Sequence, residues 1–104
     1  MIAAALGTFA ARVRARCSDR VRELVLFGSQ ARGSANEDSD VDVLVVVDEL
    51  SGAEGRELGH MAGDIFTEFD VVLSPFAVSS ARMAELRARE RLIAAEIARD
   101  GVAL

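Results

Sequence analysis

Apolar residues recur along the chain with two different spacings, which predict where helices and strands lie. Residues 2–17 place an apolar side chain at every third or fourth position, as on one face of a helix. In the segment 21–27, residues 24–27 are apolar on both faces, and residues 41–47 are apolar on both faces apart from Asp42, with Val dominating this second segment. Such segments are typical of strands buried on both sides.

The second half of the chain predicts two further helices and two further strands. Residues 51–68 again show helical spacing, and residues 70–73 predict a short third strand. Ser74-Pro75 predicts a helix entry, with Ser as the cap and Pro at the first helical position. Helical spacing over residues 83–97 predicts that helix, and residues 102–104 predict a short last strand. This order predicts a single α/β domain over residues 1–104.

Composition narrows the class of protein. The formal net charge is −5 and all twelve basic residues are Arg. An acidic balance argues against direct binding to nucleic acid or to a membrane surface. No apolar stretch approaches the ~20 residues of a membrane span. A single cysteine, Cys17, excludes an internal disulfide and fits a reducing compartment. We therefore expect a cytoplasmic domain with no membrane contact.

The candidate chemistry lies in residues 27–46, FGSQARGSANEDSDVDVLVV. Gly28 and Ser29 follow the first strand, where unpaired backbone N–H groups and a glycine let a phosphate approach closely. Asp40 and Asp42 point to one face of the second strand because side chains alternate. Neighbouring carboxylates repel each other, so we expect a ligand from outside the sequence to neutralise them.

Asp70 begins the predicted third strand, which is expected to bring a third carboxylate to the same place. Clustered carboxylates are the oxygen ligands that Mg²⁺ prefers. Two such ions can hold the attacking and leaving oxygens of a displacement at phosphorus. Alternatively, Asp40 and Asp70 are turn residues and Asp42 is a solvated strand residue. Arg32 either reaches a phosphate or is solvated.

The motif FGSQARGSANEDSDVDVLVVV resembles the signature of the nucleotidyltransferase superfamily of polymerase beta, and within it the minimal nucleotidyltransferases. FDVVLSP resembles the family's third-carboxylate strand, and EIARDGVAL its usual C-terminal ending. The resemblance implies the nucleotidyltransferase fold, a small mixed sheet of about three or four strands flanked by α-helices. It also implies that the three aspartates are catalytic and bind two Mg²⁺. Gly28 and Ser29 would hold the nucleoside triphosphate.

The resemblance further implies a partner. Larger relatives carry an extra domain that positions the acceptor, which residues 1–104 lack, so we expect another polypeptide to supply the acceptor. Minimal nucleotidyltransferases are commonly paired with HEPN-domain RNase toxins, and act as antitoxins by transferring AMP from ATP to a tyrosine of the toxin. The resemblance thus predicts a Mg²⁺-dependent protein adenylyltransferase antitoxin. The alternatives are a binding module that masks its partner, and a transferase that acts on a small molecule.

Overall fold

The computed structural model describes residues 2–28, 40–89 and 92–104. Its elements are, in chain order, α1 (Ile2–Cys17), a short 3₁₀ helix (Ser18–Arg20), β1 (Val21–Phe27), β2 (Val41–Val47), α2 (Gly52–Phe69), β3 (Leu73–Ser79), α3 (Ser80–Ala88), α4 (Leu92–Asp100) and β4 (Val102–Ala103).

The strands form one four-stranded sheet in the order β3-β2-β1-β4. β1 is antiparallel to both β2 and β4, whereas β2 and β3 are parallel and are joined through α2. The predicted mixed sheet flanked by helices is therefore confirmed. The predicted strands at residues 21–27 and 41–47 are confirmed, and the last strand, predicted at residues 102–104, is present at Val102–Ala103.

Helices cover both faces of the sheet, and β2 lies in the middle of it. Because side chains alternate along a strand, each face draws on every second residue. The face covered by α1 and α2 buries Leu24, Val41, Val43, Val45, Val47 and Leu73. The face covered by α3 and α4 buries Phe27, Leu44, Val46 and Val78. This second face is called the α3–α4 face below. Its buried residues explain why the apolar run of β2 continues on both sides.

The structure corrects the predicted third strand and the helix entry after it. β3 begins at Leu73 and contains both Ser74 and Pro75, so these two residues do not start a helix. Proline is compatible with this position because β3 is an edge strand, where one row of N–H groups needs no strand partner. The N-cap is instead Ser79, whose hydroxyl accepts a hydrogen bond from the Arg82 N–H at 3.1 Å.

The predicted single helix over residues 83–97 is also wrong, because α3 ends at Ala88 and α4 begins at Leu92. Both helices pack on the α3–α4 face, through Met83 and Leu86 and through Ala94 and Ile97. These two pairs have the same three-residue spacing, so apolar periodicity does not reveal the break between the helices.

No helix in the described part of the chain is long and apolar enough to cross a membrane. Cys17 is buried at the end of α1 and is a free thiol.

The start of α2 is fixed to α1 by a buried carboxylate, Glu54. Ser51 and Glu54 form a reciprocal capping box, with hydrogen bonds of 3.1 and 3.0 Å. Arg20 donates to both carboxylate oxygens of Glu54, and Arg16 lies 3.4 Å from one of them. The Arg20 hydrogen bonds and the Ser51 N–H lower the pKa of Glu54 from 4.5 to about 2.

This low pKa predicts an acid-sensitive part of the stability. Between pH 4.5 and about 2 the unfolded chain binds a proton at Glu54 that the folded chain does not. The Glu54 contribution is therefore complete above pH 4.5 and is lost as the pH falls toward 2. The free energy of unfolding, measured in urea at several pH values, should fall less steeply over this interval for Glu54→Gln than for wild type. Glu49→Gln, at an exposed carboxylate, is the control. Parallel curves for Glu54→Gln and wild type would contradict the assignment.

Candidate functional site

The candidate site lies at the end of the sheet where β1 ends and where β2 and β3 begin. Phe27, the last residue of β1, is paired with Asp42 of β2. Gly28 follows β1 and Asp40 precedes β2, so the antiparallel pairing brings the two halves of the sequence motif together.

Gly28 and Asp42 are in direct contact. Gly28 is buried and has a φ of +76°, in the left-handed region that favours glycine. A Cβ atom at this position would lie 2.4 Å from Oδ2 of Asp42, which is closer than a carbon and an oxygen atom that are not bonded can approach. The Asp42 carboxylate therefore occupies the space that a side chain at residue 28 would need. Only glycine satisfies both the backbone conformation and this contact.

Gly28→Ala is expected to destabilise the protein. The left-handed conformation alone costs a residue with a Cβ roughly 1–2 kcal/mol, and displacement of the Asp42 carboxylate adds to this. Gly7→Ala is the matched control, because Gly7 lies within α1 and has open space around its Cα. That change should stabilise the helix by up to about 1 kcal/mol. Chemical denaturation of both variants measures the contrast, and equal stability of the two would contradict the described contact.

Asp42 lies on the same side of the sheet as Leu44 and Val46, because these residues alternate with the buried odd-numbered valines. It therefore extends the α3–α4 face toward the end of the sheet, and Asp40 lies just before β2. Asp40 is exposed and Asp42 is half-buried. Asp42 lies on the strand as predicted, whereas Asp40 precedes the strand, so a common face for the two carboxylates stays a prediction.

Asp70 does not begin a strand, contrary to the sequence prediction. It is the C-cap of α2, with a φ of +56°, and its N–H donates to the Phe66 carbonyl at 2.9 Å. Aspartate tolerates this left-handed position better than most residues. Asp70 is exposed and lies three residues before β3, at the end of the sheet where β2 and β3 start. Its assignment as a third ligand stays a prediction.

Among the residues that the structure describes, no group of three or more His, Cys, Asp or Glu side chains is placed to hold a metal ion. The carboxylates of Asp40, just before β2, and of Asp42, on β2, still fit a hard divalent cation by their chemistry, since both offer oxygen ligands. Asp40 and Asp42 are the residues that would hold it. Ser29 and Arg32, predicted to bind the nucleotide with Gly28, lie outside the described residues.

Ser74 is the neighbour of Asp42 on β3, in a parallel pairing that also sets Leu73 opposite Val41. Ser74 was predicted to be a helix cap, so its position in the sheet was not foreseen from the sequence. The one sequence signal for a strand here was the position of Pro75 between the apolar residues Leu73 and Phe76. This pattern is compatible with an edge strand as well as with a helix start.

Comparison with known proteins identifies similar sequences. A family model described as "Nucleotidyltransferase domain" matches residues 8–96. A protein of Methanocaldococcus jannaschii named "Putative protein adenylyltransferase MJ0141" is 38% identical over 58 residues. The match covers 55% of this chain and 59% of the relative, so the chain spans less than two thirds of the length of that protein.

Solved structures show the same fold. A crystal structure of a toxin–antitoxin with AMP-PNP superposes with a TM-score of 0.62 at 18% identity, covering 92% of this chain and 69% of the other. A mutant of the toxin–antitoxin MntA–HpeT gives a TM-score of 0.59 at 16% identity, with the same coverage of 92% and 69%.

Proposed function

Because the chain belongs to the nucleotidyltransferase domain family, we propose that it transfers AMP from ATP to a hydroxyl group of a partner protein. The observation that carries this proposal is the contact between Gly28 and Asp42. Gly28 allows a phosphate to approach the backbone closely, and the Asp42 carboxylate beside it can bind a cation. A site for a metal-bound triphosphate needs both at one place.

Each site residue has a distinct role in the proposal. Asp40 and Asp42 hold Mg²⁺, which when bound neutralises charge on the phosphates and on the acceptor oxygen. Asp70 is the proposed third ligand, although the described structure does not group it with Asp40 and Asp42 around a metal position. Gly28 lets the triphosphate approach the backbone, and Ser29 and Arg32 donate to its oxygens.

In the proposed reaction, the acceptor oxygen forms a bond to the α-phosphorus of ATP. The bond from that phosphorus to the β-phosphate bridging oxygen breaks, and pyrophosphate leaves. The acceptor hydroxyl loses its proton to solvent, so the products are AMP-modified protein and pyrophosphate.

The proposed acceptor is a tyrosine of a HEPN-domain toxin, which the modification neutralises. Supporting this, structural neighbours of the chain are toxin–antitoxin complexes, one of them with AMP-PNP. The 104 residues contain no tyrosine, so a tyrosine that accepts AMP must lie outside them. The free thiol of Cys17 is compatible with the reducing cytoplasm, where we propose that the transfer takes place.

The reaction is tested with ATP labelled at either the α- or the γ-phosphate. The mixture contains the chain and either the candidate toxin, its Tyr→Phe variant or an unrelated protein that carries tyrosine. The proposal predicts α-label on the toxin alone and γ-label only in released pyrophosphate. Transfer of γ-label would indicate a kinase, and equal labelling of all three proteins would exclude a dedicated acceptor. A tight complex without any label would favour the masking function.

The role of Asp70 has its own test, because asparagine also tolerates a left-handed C-cap. Asp70→Asn should therefore keep the stability of the wild-type protein but lose transfer, since an amide is a poor substitute for a carboxylate metal ligand. Labelled transfer and thermal unfolding are measured on the same preparation. Wild-type transfer by Asp70→Asn would restrict Asp70 to its role as a helix cap.

A further inference from the structure

Ser74 stands beside Asp42 in the sheet. The two residues are direct partners in the parallel pairing of β2 and β3, and neighbouring strands lie about 4.8 Å apart. Ser74 also alternates in step with Phe76 and Val78, which pack on the α3–α4 face. The Ser74 hydroxyl and the Asp42 carboxylate therefore project from the same side of the sheet.

Ser74 is held in place but remains accessible. Its side chain is exposed, whereas Asp42 is half-buried. Pro75 follows it, and a residue before proline is restricted to extended conformations. The register with Asp42 further fixes the backbone of Ser74 within the sheet. A short hydroxyl side chain on a rigid strand is well suited to donate a hydrogen bond to a ligand bound next to it.

We propose that Ser74 binds the phosphate chain of the nucleotide by donating a hydrogen bond from its hydroxyl. This inference rests on the proposed function, because it requires the triphosphate to lie over Asp42. Ser74 is the partner of Asp42 in the register of β2 and β3, so its hydroxyl lies beside this carboxylate on the same face of the sheet. Ser74 thereby adds a neutral donor beside the anionic carboxylate of Asp42.

The test compares Ser74→Thr with Ser74→Val. Both residues suit a strand and have nearly the same shape, so the pair differs in the hydroxyl rather than in folding. The affinity for AMP-PNP with Mg²⁺ is measured by calorimetry, together with thermal unfolding without nucleotide. Ser74→Thr should retain binding, and Ser74→Val should bind about tenfold or more weakly, as expected for a lost hydrogen bond to a charged group. Thr67→Ala, which removes an exposed hydroxyl from α2, should bind like wild type.

Asp42→Asn separates this inference from the proposed function. If wild type binds AMP-PNP, Asp42→Asn does not, and the Val and Thr variants bind equally well, the role of Ser74 is overturned while the proposed function stands. If wild type fails to bind AMP-PNP with Mg²⁺, both are overturned.

Discussion

Asp42→Asn is expected to lower nucleotidyl transfer by about a hundredfold or more without unfolding the protein. A metal ion that stabilises charge in a phosphoryl-transfer reaction contributes several kcal/mol, and each 1.36 kcal/mol corresponds to a tenfold change in rate. Asp42 is the carboxylate in contact with Gly28, so its amide variant loses the metal ligand at the point where the two halves of the motif meet.

The fold should tolerate this change because asparagine has the same shape as aspartate. Replacing one of two neighbouring carboxylates also removes a repulsion from the metal-free protein. We therefore expect a midpoint of thermal unfolding no lower than that of wild type. Asp64→Asn, at an exposed position of α2, is the matched control and should keep full activity. Full transfer by Asp42→Asn would exclude a catalytic role, and unfolding would make Asp42 a structural residue.

Removal of divalent cations should likewise abolish transfer, and either Mg²⁺ or Mn²⁺ should restore it. Oxygen ligands accept both ions, so the carboxylates of Asp40 and Asp42 should not distinguish strongly between them. The measurement is labelled transfer after chelation, followed by titration with each metal. Transfer that continues in excess chelator would contradict the metal assignment.

Metal binding also has a readout that does not depend on activity. An ion that binds only the folded chain raises its stability as the ion concentration increases. Mg²⁺ should therefore raise the unfolding temperature of wild type and have a smaller effect on Asp42→Asn. A rise of equal size in both proteins would place the bound ion elsewhere.

The predictability of the fold differs between its two halves. The strands β1 and β2 were predicted because both contain a run of apolar residues. Such a run is typical of a strand that is buried on both faces. Ser74-Pro75 has the same local signature at a helix start and in an edge strand. Only the pairing of β3 with β2, a long-range property, decides between them. The assignment of Asp70 to a strand failed for the same reason.

The candidate site was predictable in its residue types but not in its contacts. Alternation along β2 is enough to place Asp42 on the same face as Leu44 and Val46, but Asp40 lies just before the strand. The contact between Asp42 and Gly28 depends on the register of β1 with β2 across thirteen intervening residues, 29–41, most of them outside the described structure. The position of Ser74 depends on a second register, which begins after α2. Sequence spacing does not determine either register.

Intact mass spectrometry tests the claim that this chain transfers AMP to a partner protein. The candidate HEPN-domain partner is purified after co-expression with wild type, with Asp42→Asn or with the control Asp64→Asn. We expect the partner to gain mass in whole AMP units with wild type and with Asp64→Asn, and to keep its unmodified mass with Asp42→Asn. An unmodified partner in all three samples, or the same mass gain in all three, would contradict the claim.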